Sequence, residues 1–206
     1  MSVDFKVARK NMLESQVRTN DVSDKKLIEA ILKTPREEFT NGDKNFAYAE
    51  IELPTASGRN IMKARDFSKL AQAAGVTEGA EVLVIGGASL YSAAIFAEIG
   101  AKVTVIDTVD CAFDGVTTVK GDIATLKEVS DKKFDVVFVD GAVETIPTEW
   151  FAAVKDGGNL ALFKYENGRS SGLLYVISGN THSYRSLFEA NVSKLSELNA
   201  KKEFVF

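Results

Sequence analysis

From Glu81 onward the chain alternates short, wholly apolar runs with helical segments, and that pattern leaves few folds open. Val82-Leu83-Val84-Ile85 has no polar residue on either alternate side. Both faces of such a strand need cover, as in a parallel sheet flanked by helices. The same reading gives strands at Val103–Asp107, Val116–Lys120, Phe134–Asp140 and Asn159–Phe163, with helices at Tyr91–Ile99 and Thr148–Val154. Strands alternating with helices build a doubly wound sheet with right-handed crossovers. The predicted class is therefore α/β.

The flanks have other periods. Phe5 to Val17 places Phe5, Val7, Ala8, Met12, Leu13 and Val17 on one broad stripe, which predicts an amphipathic helix. Asn20 to Ser23 breaks it, and Ser23 is the expected N-cap of a second helix carrying Leu27, Ile28, Ile31 and Leu32, stopped by Pro35. Thr40 to Arg59 reads as irregular, and a third helix is expected from Met62 to Ala74, ended by Gly75. Near the far end, Leu173–Ser178 and Thr181–Phe188 flank Gly179-Asn180, a hairpin signal. Glu203-Phe204-Val205-Phe206 is apolar enough to be expected to pack down. The resulting division is a helical N-terminal extension, 1–75, on an α/β domain, 76–206.

Composition narrows the partners. The chain has 206 residues, 25 basic against 29 acidic, for a formal charge of −4. That balance argues against nucleic acid as a partner, since such affinity comes from neutralising phosphates. The single cysteine, Cys111, and single histidine, His182, cannot form a disulfide framework or a closed zinc site. No apolar run approaches the ~20 residues needed to span a bilayer. Met1 to Arg18 is too charged for a secretion signal, so a cytoplasmic protein without a membrane partner is expected.

In an open parallel sheet, ligands sit beyond the carboxyl ends of the strands where strand order reverses. Gly86-Gly87-Ala88-Ser89 follows the first strand of this sheet and opens a helix. Asp107 ends the second strand, 21 residues after Gly86, where a carboxylate could accept both hydrogens of a ribose diol. Asp122, followed by Ile123, comes after the third strand, placed to meet an adenine edge, and Asp140 ends the fourth. This ordered set points to a nucleoside. Each member also has a plainer reading as a chain reversal or a helix cap. No Gly-x-x-x-x-Gly-Lys-Ser/Thr is present, which removes a P-loop. Gly86, Ala88 and Tyr91 stand where a dinucleotide fingerprint needs three glycines, which demotes a dehydrogenase.

Met12-Leu13-Glu14-Ser15-Gln16-Val17-Arg18, Asp21-Val22, Leu27-Ile28-Glu29-Ala30 and Pro35-Arg36-Glu37-Glu38-Phe39 resemble the N-terminal extension of the protein-L-isoaspartate O-methyltransferases. Ala47-Tyr48, Leu53-Pro54, Val82 to Gly86, Tyr91-Ser92-Ala93-Ala94, Phe134-Asp135, Pro147 and Gly157-Gly158-Asn159-Leu160 continue the resemblance in order. Leu187-Phe188-Glu189-Ala190 through Phe204-Val205-Phe206 looks like the ending of a divergent bacterial branch. The resemblance implies a Rossmann-like, mostly parallel methyltransferase sheet. It also implies S-adenosylmethionine as cofactor and methyl transfer to the side-chain carboxylate of an isoaspartyl residue in a damaged protein, and it leaves a homodimer open. Under it, Gly86, Gly87, Ala88, Ser89, Asp107, Asp122, Ile123 and Asp140 are the candidate cofactor residues. Asn60, Ile61, Met62 and Lys63 form the candidate acceptor loop.

Three departures from the family pattern stand out. Its first motif is an acid followed by Gly-x-Gly-x-Gly, and the matching positions here are Val84, Gly86, Ala88 and Leu90. Leu90 is expected to project from the turn into the cofactor hollow. The acceptor loop, Gly-x-Thr-Ile-Ser-x-Pro in the family, reads Gly58-Arg59-Asn60-Ile61-Met62-Lys63-Ala64, where Met62 is better suited to a core than to a reaction centre. Arg59, Lys63 and Arg65 could attract a carboxylate, although surface charges are usually just solvated. Finally, Thr108 to Gly115 is too short for the usual crossover helix, so an extended loop or a single turn is expected. The family's activity is the reading adopted. The alternative is an inactive relative whose degenerate cofactor site serves binding or interaction. No catalytic role is assigned to Cys111, to His182 or to Trp150, which reads as packing.

Overall fold

In the computed structural model, which describes residues 3–200, helices precede the main sheet along the chain. Helix α1 (Phe5–Met12) is capped by Asp4, whose carboxylate accepts the Lys6 and Val7 N–H groups. It widens into a π turn over Leu13–Val17, which buries both Leu13 and Val17, where the sequence predicted one uninterrupted α-helix. Helix α2 (Lys25–Lys33) is capped by Asp24, which accepts the Leu27 N–H at 3.1 Å. Ser23, the predicted cap, instead donates its own N–H to Gln72. Inside the stretch predicted as irregular, β1 (Leu53–Pro54) pairs antiparallel with β2 (Asn60–Ile61). Helix α3 (Ala64–Ala74) begins two residues later than predicted and ends at Gly75, whose left-handed φ of +71° suits glycine.

The sheet strands follow: β3 (Glu81–Ile85), β4 (Lys102–Asp107), β5 (Thr117–Lys120), β6 (Phe134–Val143), β7 (Val154–Glu166), β8 (Arg169–Ser178) and β9 (Thr181–Ala190). Helix α4 (Tyr91–Ile99) lies between β3 and β4, and α5 (Thr148–Ala153) between β6 and β7. Sheet order is β5-β4-β3-β6-β7-β8-β9. The first five strands in that order pair in parallel, and β7, β8 and β9 form an antiparallel meander. The hairpin is thus longer than predicted and continues the main sheet. The chain leaves β3 on one side for β4 and returns on the other for β6, which places the crevice at the carboxyl ends of β3, β4 and β6.

Core residues lie on both sheet faces. One face packs Phe138 and Phe96 against Phe67 of α3 and Met12 of α1, so residues on either side of position 75 share one core. The other packs Leu83, Ile106 and Trp150. The Trp150 indole N–H donates to the Ile123 carbonyl at 2.7 Å. Between β4 and β5 the chain runs as an extended loop with no helix. Phe113 of that loop rests on Phe39 (centroids 5.7 Å apart), and Phe39 meets the Tyr91 ring edge-on at 5.5 Å. The N-terminal extension therefore supplies part of the missing cover. Among the described residues no helix is long and apolar enough to cross a membrane. The expectation for Glu203–Phe206 lies outside the described residues.

Candidate functional site

The site begins where β3 stops. Gly86 turns the chain at φ +69°, a conformation L side chains resist. Asp107, at the end of β4, is fully buried and accepts the Ala88 N–H at 2.9 Å and the Thr108 N–H at 2.7 Å. It therefore pins the turn after β3 to the end of β4. Val84, in place of the family's acid, is fully buried and packs under Gly87.

Asp107 is not free to receive a diol in this arrangement. Arg59 reaches it from the loop before β2, with Nη2 2.5 Å from Oδ1 and Nε 3.0 Å from Oδ2. The same guanidinium donates to Glu197 at 2.8 Å, and the Thr108 hydroxyl donates to that carboxylate at 2.9 Å. Burial opposes the charge on Arg59, but the hydrogen bonds to Asp107 and Glu197 outweigh it and raise the pKa. Glu197, hydrogen-bonded by Arg59, is held down at about 2. Of the three cations considered in sequence, Arg59 is the one aimed into the crevice; Arg65 pairs with Asp66 and Asn20.

Glu197 belongs to a strap that crosses the carboxyl ends of β3 and β6. The Ala142 N–H donates to the Ser193 carbonyl, and the Leu195 N–H donates to the Ala142 carbonyl, each at 2.9 Å. Thr145 N–H donates to the Leu198 carbonyl at 3.1 Å. Leu195 is buried against the glycines: a Cβ on Gly86 would fall 2.7 Å from its Cδ1, and one on Gly141 2.9 Å from its Cδ2. Asn60 donates to the Ser193 hydroxyl at 3.0 Å, and Glu52 accepts the Ser193 N–H at 2.9 Å. Leu90 is not what fills the hollow. It sits left-handed at φ +63°, partly buried against the first core layer, and Leu195 occupies the space over Gly86.

Asp140 stands where β6 loses register with β7, between Phe138 and Ala142. This irregularity re-aims its side chain toward the turn. There it accepts the hydroxyls of Ser89 (2.7 Å) and Ser92 (2.8 Å), the first residues around the start of α4. Burial pushes its pKa up to about 6, against the lowering effect of the two serines. Between the ordinary Asp range and pH 6 the unfolded chain has lost this proton while the folded chain keeps it. Stability therefore falls as pH rises through that window, and above it the full penalty, on the order of 3 kcal/mol, is present. Asp140→Asn is expected to flatten this slope and to raise Tm at pH 7.5, read by thermal melts from pH 4 to 7.5.

The remaining candidates separate. Asp122 is exposed and caps its own turn, accepting from the Ala124 N–H and the Thr125 hydroxyl, which lower its pKa. Ile123 turns its side chain into the core layer of Trp150, so only its backbone stays near the site. Ile61 and Met62 are likewise committed to the core, leaving Asn60 and Lys63 as the more accessible members of the acceptor loop. Outside the crevice, the Cys111 thiol is raised by burial and by Asp107 and Asp110, which makes it a poor nucleophile. His182 is exposed and stacks on Phe151 at 4.2 Å.

What remains between Arg59, Asn60, Asp140, Gly141 and the strap is a cavity of about 50 Å³. Small-molecule sites usually need ~300 Å³ or more. With the strap down, this space is too small for a nucleoside; a separate cavity of about 420 Å³ opens on the other side of the turn, beside Ala88, Ser89, Leu90 and Cys111. Sequence reasoning missed Ser193, Leu195 and Glu197. The apolar spacing Val192, Leu195, Leu198 was the one available signal that this segment packs down rather than trailing free.

Comparison with known proteins locates the fold. Residues 8–171 match the family model described as Protein-L-isoaspartate(D-aspartate) O-methyltransferase (PCMT). A protein-L-isoaspartate O-methyltransferase of Opitutus terrae is 28% identical over 172 residues, covering 75% of this chain and 71% of that one. One from Shewanella sediminis is 28% identical over 180 residues, covering 78% and 72%. A solved protein-L-isoaspartate O-methyltransferase superposes with a TM-score of 0.79 at 21% identity, covering 93% of this chain and 67% of its own. A Plasmodium falciparum chain described as a candidate enzyme of this kind, in complex with S-adenosyl-L-homocysteine, gives 0.78 at 15% identity, covering 95% and 100%. The Rossmann-like methyltransferase architecture expected from sequence is the one found, and this chain belongs to the protein-L-isoaspartate O-methyltransferase family.

Proposed function

We propose that the protein uses S-adenosylmethionine to methylate the side-chain carboxylate of isoaspartyl residues in damaged cytoplasmic proteins. The observation that carries this reading is the family match across residues 8–171, a span that contains Gly86, Asp107, Asp122 and Asp140. The cofactor is assigned to Gly86, Gly87, Ala88, Ser89, Asp107 and Asp140 around the turn, with Asp122 and the Ile123 backbone at its outer edge. The loop Asn60–Lys63 forms the side assigned to the acceptor. An ionised carboxylate is already a nucleophile, so this chemistry asks the chain chiefly for positioning, worth up to ~7–11 kcal/mol in well-oriented cases. Arg59 is the one guanidinium in the crevice suited to hold an acceptor carboxylate.

The test is methyl transfer from radiolabelled S-adenosylmethionine to an isoaspartyl peptide, with the aspartyl isomer as control. Base-labile label is expected on the isoaspartyl peptide alone, and Asp107→Ala is expected to abolish it. No label on either peptide, from the wild type or from Leu195→Ser, overturns the proposal in favour of a non-catalytic binding protein.

A further inference from the structure

The strap's fit to the crevice is too specific for a trailing end. Leu195 lies on the two glycines whose bare backbone would otherwise face a ligand, Gly86 and Gly141. Glu197 places a carboxylate on Arg59, and Ser193 engages Asn60 of the acceptor loop. Gly86, Arg59 and Asn60, one feature each of the turn, the crevice and the acceptor loop, are met by groups from Ser193–Leu198. We propose that this segment is an intramolecular plug, with Leu195 competing against the nucleoside and Glu197 standing in for the acceptor carboxylate. The inference rests on the function proposed above and adds a regulation of the same site.

The contacts that hold the plug can be released without dismantling the sheet. Its backbone bonds go to Ala142 and Thr145, at and beyond the bulged end of β6, where pairing with β7 has already slipped. Its charged contacts, Arg59–Glu197 and Lys194–Glu144, are partly exposed. A ligand that needs a conformer populated only as a fraction f binds with its intrinsic Kd divided by f. A carboxylate acceptor that takes Arg59 from Glu197 raises f. Acceptor and cofactor therefore assist each other's binding, and by linkage the assistance is equal in both directions.

The test is calorimetric titration of S-adenosylhomocysteine into the full chain as wild type, Leu195→Ser and Glu197→Gln, with hydrogen exchange read at the Ala142, Thr145 and Leu195 amides. Glu197→Gln keeps the shape of the strap and guards against a folding defect in Leu195→Ser. The expected result is at least tenfold tighter binding by both variants, with lost protection at the three amides. An isoaspartyl peptide should also tighten binding by the wild type and by Leu195→Ser, and by less in Glu197→Gln. Equal affinity in all three proteins overturns the plug and leaves the proposed function standing. Absence of binding in all three, with exchange showing the strap released, overturns the plug together with that function.

Discussion

Arg59→Ala is expected to lower stability by about 3–5 kcal/mol at neutral pH, because it strands a buried carboxylate. Asp107 is fully buried, and its other partners are two backbone amides and the Thr108 hydroxyl, which leave its charge unneutralised. The Arg59 side chain is only 12% exposed, so water cannot replace it cheaply. Urea titration of Arg59→Ala measures the loss. Adding Asp107→Asn should recover part of it, since the amide oxygen keeps accepting from Ala88 without a charge to desolvate, while its NH2 group meets the Thr108 N–H. A single variant within 1 kcal/mol of wild type would mean that Asp107 has found another counter-charge or water. Acid provides a second readout. Glu197, held at about 2 by Arg59, contributes stability that is present above its ordinary range and is lost as pH falls through that range toward 2. That acid-side loss should be missing from the profile of Arg59→Ala.

Much of this fold was readable because its strongest signals are local. Val82–Ile85 has no polar face to turn to solvent, and Tyr91–Ile99 is bounded by a glycine turn on one side and Gly100 on the other; both elements form within a residue of where the pattern puts them. Boundaries failed where a neighbour decided them. Asp24 caps α2 because Gln72 of α3 claims the N–H groups of Ser23 and Asp24 together, a contact spanning 48 residues or more. Strand β6 runs past Asp140 because Ala142 and Val143 pair again with β7 beyond the irregularity, while the strap bonds Ala142 from the other side.

The site was half legible for the same reason. Asp107 and Asp140 follow from strand ends, and the turn follows from its glycines. Leu90 was a sensible suspect for the obstruction, since a side chain at a glycine position near a ligand usually points at it. Its left-handed backbone instead turns the leucine toward the N-terminal core layer. The actual obstruction comes from a residue 109 positions after Gly86, and no periodicity or motif links the two in sequence.

Arg36→Ala is expected to cost about 3–4 kcal/mol, the sum of unsatisfied carbonyls and a cavity, less the relief of removing a desolvated charge. Arg36 has no exposed surface. Its guanidinium donates to the carbonyls of Ala47 (2.9 Å), Ile51 (3.3 Å) and Met62 (2.7 Å), and it lies over the Tyr91 ring at 5.1 Å. Burial lowers its pKa, yet arginine starts so high that it stays charged. One side chain thus ties the segment after α2 to the irregular stretch at Ala47 and Ile51 and to Met62 of the acceptor loop. Lysine has the charge but not the planar fork, so Arg36→Lys should recover less than half of the loss in urea titration. If lysine restored full stability, charge alone would be sufficient and the three carbonyls would be satisfied without the fork. If alanine cost under 1 kcal/mol, water would have to reach all three carbonyls, and the acceptor loop would owe its position to Ile61 and Met62 in the core rather than to Arg36.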